Sequence, residues 1–67
     1  MKILGVDPGL NITGFGVIEI VSKQKFKLLD AGTITPKKKE LISSRVEVIH
    51  RGLTQVVQAN KPDVMVL

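Results

Sequence analysis

The sequence has no cysteine, tryptophan or tyrosine, and Phe15 and Phe26 are its only aromatic residues. Without cysteine there is no disulfide and no thiolate metal site to reinforce a small fold. With so few aromatic rings, stacking bases on aromatic platforms is not a main theme. No apolar run approaches the length of a membrane span. The N-terminus opens directly on a strand pattern, without the basic, apolar and small-residue sequence of a secretory signal. These absences lead us to expect an intracellular, cytoplasmic chain with no membrane association. With 67 residues there is room for at most one small domain. A chain of this length buries only about 60% of the surface it exposes when unfolded, so its stability is marginal.

The residues present have an ordinary globular balance, 43% hydrophobic and 24% charged. The net charge of +4 is compatible with a polyanionic partner, but structural proteins can be equally basic. Lys2 to Asp7 is rich in Ile, Leu and Val and reads as a first strand, buried on both faces. Pro8-Gly9 breaks it. Thr13 to Val21 reads as a second strand, with Phe15, Val17 and Val21 on one face and Ile18 and Ile20 on the other. Ser22-Lys23-Gln24 is a polar turn. Lys25 to Thr35 reads as a third strand, with Phe26, Leu28 and Ile34 at even spacing on one face. Lys25 and Lys27 on the alternate face suggest a solvated edge. The three strands form an antiparallel meander.

From Glu40 to Ala59 the period changes. Ile42, Val46, Ile49, Leu53 and Val56 recur at helical spacing and make one apolar stripe. Thr35-Pro36 is one candidate helix start; Ser44, with Glu47 in capping-box spacing, is another. Gly52 in mid-helix costs about 1 kcal/mol relative to alanine, which a close approach of helix to sheet would justify. Asn60-Lys61-Pro62 ends the helix. Val64 to Leu67 then reads as a buried strand, parallel to the first and beside it, reached by a right-handed crossover.

Asp7 is the residue with chemistry to offer. Asp-Pro-Gly is by itself a common turn. Here, however, it closes an apolar strand, where an unpaired carboxylate is costly to desolvate. A hard cation such as Mg²⁺, with Mn²⁺ as a possible substitute, would offset that cost through carboxylate oxygens and retained waters. One carboxylate does not complete a two-metal phosphoryl-transfer site, in which several acids hold ions about 4 Å apart. Gly9, Gly14 and Gly16 read either as turn and bulge residues or as clearance for a sugar-phosphate strand over the sheet. The lysines at 37, 38 and 39 form either a solvated run or a phosphate contact. His50 has no partner at ligand spacing and reads as structural. Glu19, Asp30 and Asp63 read as surface or turn acids, with Asp30 ambiguous because it falls in a strand.

Leu4-Gly5-Val6-Asp7-Pro8-Gly9, followed by Thr13-Gly14-Phe15-Gly16-Val17-Ile18, resembles the opening of the RuvC-type Holliday junction resolvases. The resemblance continues at Gly32-Thr33-Ile34, at Ser44-Arg45-Val46 and at Lys61-Pro62-Asp63 with its apolar run. It implies an α/β, ribonuclease H-like fold, of which residues 1–67 form the first half. It further implies that Asp7 is a catalytic, metal-binding acid, with Gly9, Thr13, Gly14 and Gly16 near the substrate. The family's second acid, a glutamate, follows the fourth strand, which here places it just beyond Leu67. The implied activity is Mg²⁺-dependent cleavage of four-way DNA junctions in recombination and repair. The implied partners are a second copy of the chain and branch-migration proteins, and the 67 residues alone are expected to be inactive.

Two other readings fit the pattern. One is half of an actin-like kinase or ATPase holding Mg²⁺-nucleotide at the Asp7-Pro8-Gly9 turn. The other is a non-catalytic ribonuclease H-like binding module.

Overall fold

The computed structural model describes residues 1–37 and 41–67. The elements are β1 (Lys2–Asp7), β2 (Thr13–Ser22), β3 (Lys25–Ile34), α1 (Ile42–Asn60) and β4 (Val64–Val66). They form one mixed sheet in the order β3-β2-β1-β4, with β1 to β3 antiparallel and β4 parallel to β1. The expected meander, helix and parallel fourth strand are all present, with limits within a few residues of those expected; β4, however, is exposed throughout and not buried as its apolar run suggests, because among the described residues only β1 pairs with it. Lys38 and Lys39 of the lysine run lie outside the described residues, and Lys37 is exposed.

Helix α1 covers one face of the sheet. Leu4 and Val6 of β1 and Val17 of β2 form its buried core, with Phe15, Leu53 and Val56 packed against them. Each such side chain contributes on the order of 1.5–3 kcal/mol when fully buried. The opposite face carries no helix among the described residues. Ile3 and Gly5 are therefore only half-buried and Asp7 is exposed, so β1 is not buried on both faces as its composition suggests. The helix stripe also engages only in part: Ile49, Leu53 and Val56 are half-buried, whereas Ile42 and Val46 stay 60% and 51% exposed.

The even-spaced stripe on β3 divides between two faces. The pairing runs Ile20↔Phe26 and Ile18↔Leu28, then shifts so that Val17 meets Asp30 and Thr13 meets Ile34. Leu29 is thus an extra residue, a β-bulge that inverts the alternation. Phe26 and Leu28 lie on the open face, at 68% and 67% exposure, while Ile34 lies under the helix. A second shift, at Val21, precedes the Lys23-Gln24 turn. Neither shift falls at Gly14 or Gly16, which pair in regular register with both neighbouring strands.

Gly52 is where α1 comes closest to the sheet. A Cβ there would lie 2.7 Å from Ile34 Cδ1 and 3.2 Å from its Cγ2. The helix begins after Leu41, which makes no side-chain cap hydrogen bond. Neither Pro36 nor Ser44 starts it: Pro36 is buried ahead of the helix, and Ser44 lies within its first turn. At the other end Lys61 turns left-handed (φ 49°) and donates its N–H to the Val57 carbonyl at 2.7 Å. Asn60 Nδ2 donates to Asp30 Oδ2 at 3.0 Å, and Lys2 Nζ donates to the Asn60 carbonyl at 3.2 Å. Asp63 pairs reciprocally with Lys2: its carboxylate accepts the Lys2 N–H at 2.8 Å, and its own N–H donates to the Lys2 carbonyl at 2.8 Å. Asp30 and Asp63 thus tie the helix end and β4 to the rest of the sheet.

Candidate active site

Asp7 is the last residue of β1 and is exposed. Alternation along β1 puts Leu4 and Val6 under the helix and Asp7 on the open face. Among the described residues no hydrogen bond or ion pair engages its carboxylate. Its cross-strand partner is Gly14, whose partner on β3 is Thr33. One step along, Gly5 pairs with Gly16, and Gly16 with Ala31. Partners across a sheet share a face, so Asp7 stands beside a floor of Gly5, Gly14, Gly16, Ala31 and Thr33. A Cβ at Gly14 or Gly16 would meet nothing within 4 Å. Among the described residues these glycines meet no packing need, and they leave the surface beside the acid flat.

Gly9 and Thr13 play a different part. The buried Thr13 hydroxyl donates to the Gly9 carbonyl at 2.9 Å and accepts the Gly9 N–H at 3.2 Å. A Cβ at Gly9 would lie 2.5 Å from the Ile12 carbonyl oxygen, so only glycine lets the turn close this tightly. Thr13 lies on the helix side, opposite Asp7. Its side chain is fully buried, and its hydroxyl fixes the turn that follows the acid. Arg45, from the first turns of α1, reaches the same loop and donates from Nη1 to Asn11 Oδ1 at 3.2 Å.

The remaining candidates lie away from this end. Glu19 forms an ion pair with the N-terminal ammonium at 3.4 Å. His50 is exposed on α1. The described residues contain no cluster of three or more His, Cys, Asp or Glu able to hold a metal. An exposed carboxylate with no protein partner suits one ligand position of a hard cation, and that position is what these residues offer. Ala31 and Thr33 escape sequence reading because their place on Asp7's face depends on the Leu29 bulge. The Arg45–Asn11 contact has no local sequence signal.

A strand order of β3-β2-β1-β4, a helix on one face and an acid at the end of the central strand define the opening portion of a ribonuclease H-like fold. Solved RuvC structures share this geometry. Over 97% of this chain, "T. thermophilus RuvC in complex with Holliday junction substrate" superposes with a TM-score of 0.88 at 28% identity, and the match covers 39% of that chain. A second Thermus thermophilus RuvC structure gives 0.87. The chain belongs to the crossover junction endodeoxyribonuclease RuvC family, whose model matches residues 3–67. It is 45% identical to the RuvC of Geotalea uraniireducens over 65 residues, 94% of this chain and 36% of that protein. It is 41% identical to that of Clostridioides difficile over 58 residues, 87% of this chain and 34% of that protein. The chain thus spans little more than a third of the length of these relatives. No described helix is long and apolar enough to cross a membrane.

Proposed function

We propose that this chain is the N-terminal part of a Mg²⁺-dependent endonuclease that resolves four-way DNA junctions in recombination and repair. The reading assigns residues 1–67 to the first half of the nuclease domain, acting in the cytoplasm as a homodimer alongside branch-migration proteins. The observation that carries it is Asp7: an exposed carboxylate beside a glycine floor, in a chain of the RuvC family. Asp7 would hold Mg²⁺, with Mn²⁺ as a substitute. When bound, such an ion supplies charge stabilisation and an activated water for phosphodiester hydrolysis.

The chain's own contribution is geometric. β1 places the carboxylate at a strand end, where it needs little desolvation. Gly14 and Gly16 leave room for a sugar-phosphate backbone at van der Waals distance from the sheet. Thr13 and Gly9 hold the neighbouring turn clear of that path. With a single acid at the site, the 67 residues alone are expected to be inactive.

The test is Asp7→Asn in the complete gene product carrying this chain. Cleavage of a synthetic four-way junction in Mg²⁺ should fall at least a thousandfold. Junction affinity should change less than threefold, because affinity comes mainly from phosphate contacts. Cleavage at the unmodified rate would refute the assignment.

A further inference from the structure

Residues 8–12, between Asp7 and the buried Thr13, are tied at two levels. The Thr13–Gly9 hydrogen bonds close the base of this loop. The crest, residues 10–12, makes one hydrogen bond to another element among the described residues: Arg45 Nη1 donates to Asn11 Oδ1 at 3.2 Å. Arg45 is half-buried near the start of α1. It belongs to the Ser44-Arg45-Val46 run, to which the nuclease reading gives no task. Both ties run toward the face that the helix covers, since Thr13 lies on that side and Arg45 comes from the helix itself. Asp7 and the floor of Gly5, Gly14 and Gly16 lie on the other face. The loop is thus drawn away from the face that carries the acid.

Connectivity alone does not keep it there. Leu10 is three residues from Asp7, so the chain holds it within about 10 Å of the acid whichever way the crest turns. Leu10 and Ile12 are exposed apolar residues, and the glycine floor is bare. An untied crest would gain apolar burial by settling on that floor, in the space a sugar-phosphate backbone needs. We infer that Arg45 is a positioning residue: through Asn11 it holds the loop on the helix side and keeps the floor beside Asp7 open to substrate. The inference rests on the nuclease reading of Asp7. When only a fraction of the protein is in its binding-competent conformation, apparent affinity falls by that fraction. The bound complex still reacts at its usual rate. Loss of the tie therefore raises the junction concentration at half-maximal cleavage and leaves the saturating rate intact.

The experiment uses the complete gene product carrying this chain. It measures cleavage of a synthetic four-way junction in Mg²⁺ as a function of junction concentration. Arg45→Ala and Asn11→Ala should each raise the half-maximal concentration about fivefold, the worth of one net hydrogen bond. The saturating rate should stay within about twofold of the parent's. The double variant should be no worse than either single one, because the same tie is lost in all three. Arg45→Lys keeps a donor on a long side chain and should recover part of the loss. Asn11→Ala removes no charge, so its affinity should depend on salt as the parent's does. A rise for Arg45→Ala without one for Asn11→Ala would make Arg45 a phosphate contact and overturn the inference. Additive losses in the double variant would overturn it too. So would a saturating rate that falls while the half-maximal concentration holds, which is the mark of a misfolded fraction. Failure of the unmodified protein to cut the junction would instead sink the nuclease reading, and this inference with it.

Discussion

The Thr13 hydroxyl and the Gly9 backbone satisfy each other completely: the hydroxyl donates to the Gly9 carbonyl and accepts from the Gly9 N–H. Thr13 is fully buried, whereas Gly9 is half-buried. Thr13→Val keeps the shape and removes both bonds, leaving the Gly9 N–H and carbonyl without a partner. Leaving a buried group unsatisfied costs roughly 1–3 kcal/mol, and here the turn can rearrange to rehydrate in part. We expect a loss of about 1.5 kcal/mol in urea denaturation, recovered by Thr13→Ser. A Thr13→Val protein as stable as the parent would show that the turn is held by other means.

Gly52→Ala sets two effects against each other. Alanine raises helix propensity by about 1 kcal/mol relative to glycine. Its Cβ would also fall 2.7, 3.0 and 3.2 Å from three atoms of Ile34. The last of these, Cγ2, sits at the β-branch, so rotating the far end of the side chain does not clear the overlap. Overpacking of this kind costs roughly 1–3 kcal/mol. The steric term should win, with a net loss of about 1 kcal/mol. The double variant Gly52→Ala with Ile34→Val should recover part of it by removing Cδ1. A more stable Gly52→Ala single variant would mean that the helix moves away from β3 at little cost.

Much of this architecture was legible because it follows from local pattern. The apolar runs at Lys2–Asp7 and Val64–Val66, the change of period at α1 and the Asn60-Lys61-Pro62 stop all depend on near neighbours in sequence. The close approach at Gly52 was also readable, since a glycine in mid-helix needs a reason. What stayed hidden depends on pairing. Nothing in Lys25–Ile34 marks Leu29 as the residue that slips, yet that slip decides that Phe26 and Leu28 face one way and Ile34 the other. It also carries Ala31 and Thr33 to Asp7's face. Thr13 reads in sequence as a polar residue beside a candidate site; only its burial shows that its hydroxyl is used within the turn. The helix start was illegible for another reason: Leu41 makes no side-chain cap hydrogen bond that a motif could announce.

Lys61 is the one described non-glycine residue with positive φ. A left-handed conformation costs an L-residue with a side chain about 1–2 kcal/mol, and glycine avoids this at helix ends. Glycine also loses more entropy on folding, about 0.5–1 kcal/mol. The difference favours Lys61→Gly by about 0.5 kcal/mol. The side chain is exposed and, among the described residues, makes no hydrogen bond or ion pair that the change would remove. Thermal denaturation should show a small rise in Tm. A fall would mean that the Lys61 side chain contributes something its backbone geometry does not reveal.

Gly14 and Gly16 allow stability and activity to be separated. Both lie inside β2, where glycine weakens a strand relative to residues with side chains by roughly 0.5–1 kcal/mol. An added Cβ at either position meets nothing within 4 Å. Gly14→Val and Gly16→Val should therefore leave folding unharmed or improve it by up to about 1 kcal/mol, valine being a preferred strand residue. On the nuclease reading the same substitutions should harm function. A valine at 14 stands directly across from Asp7, with Cβ atoms about 5 Å apart, and fills the space through which a backbone phosphate would reach the carboxylate. Junction cleavage by the complete gene product should fall tenfold or more for Gly14→Val. For Gly16→Val the effect should be weaker, because its partner is Gly5 rather than the acid. Denaturation curves and cleavage rates on the same preparations decide the matter. Equal or faster cleavage by a stabilised Gly14→Val protein would show that substrate does not pass over this floor.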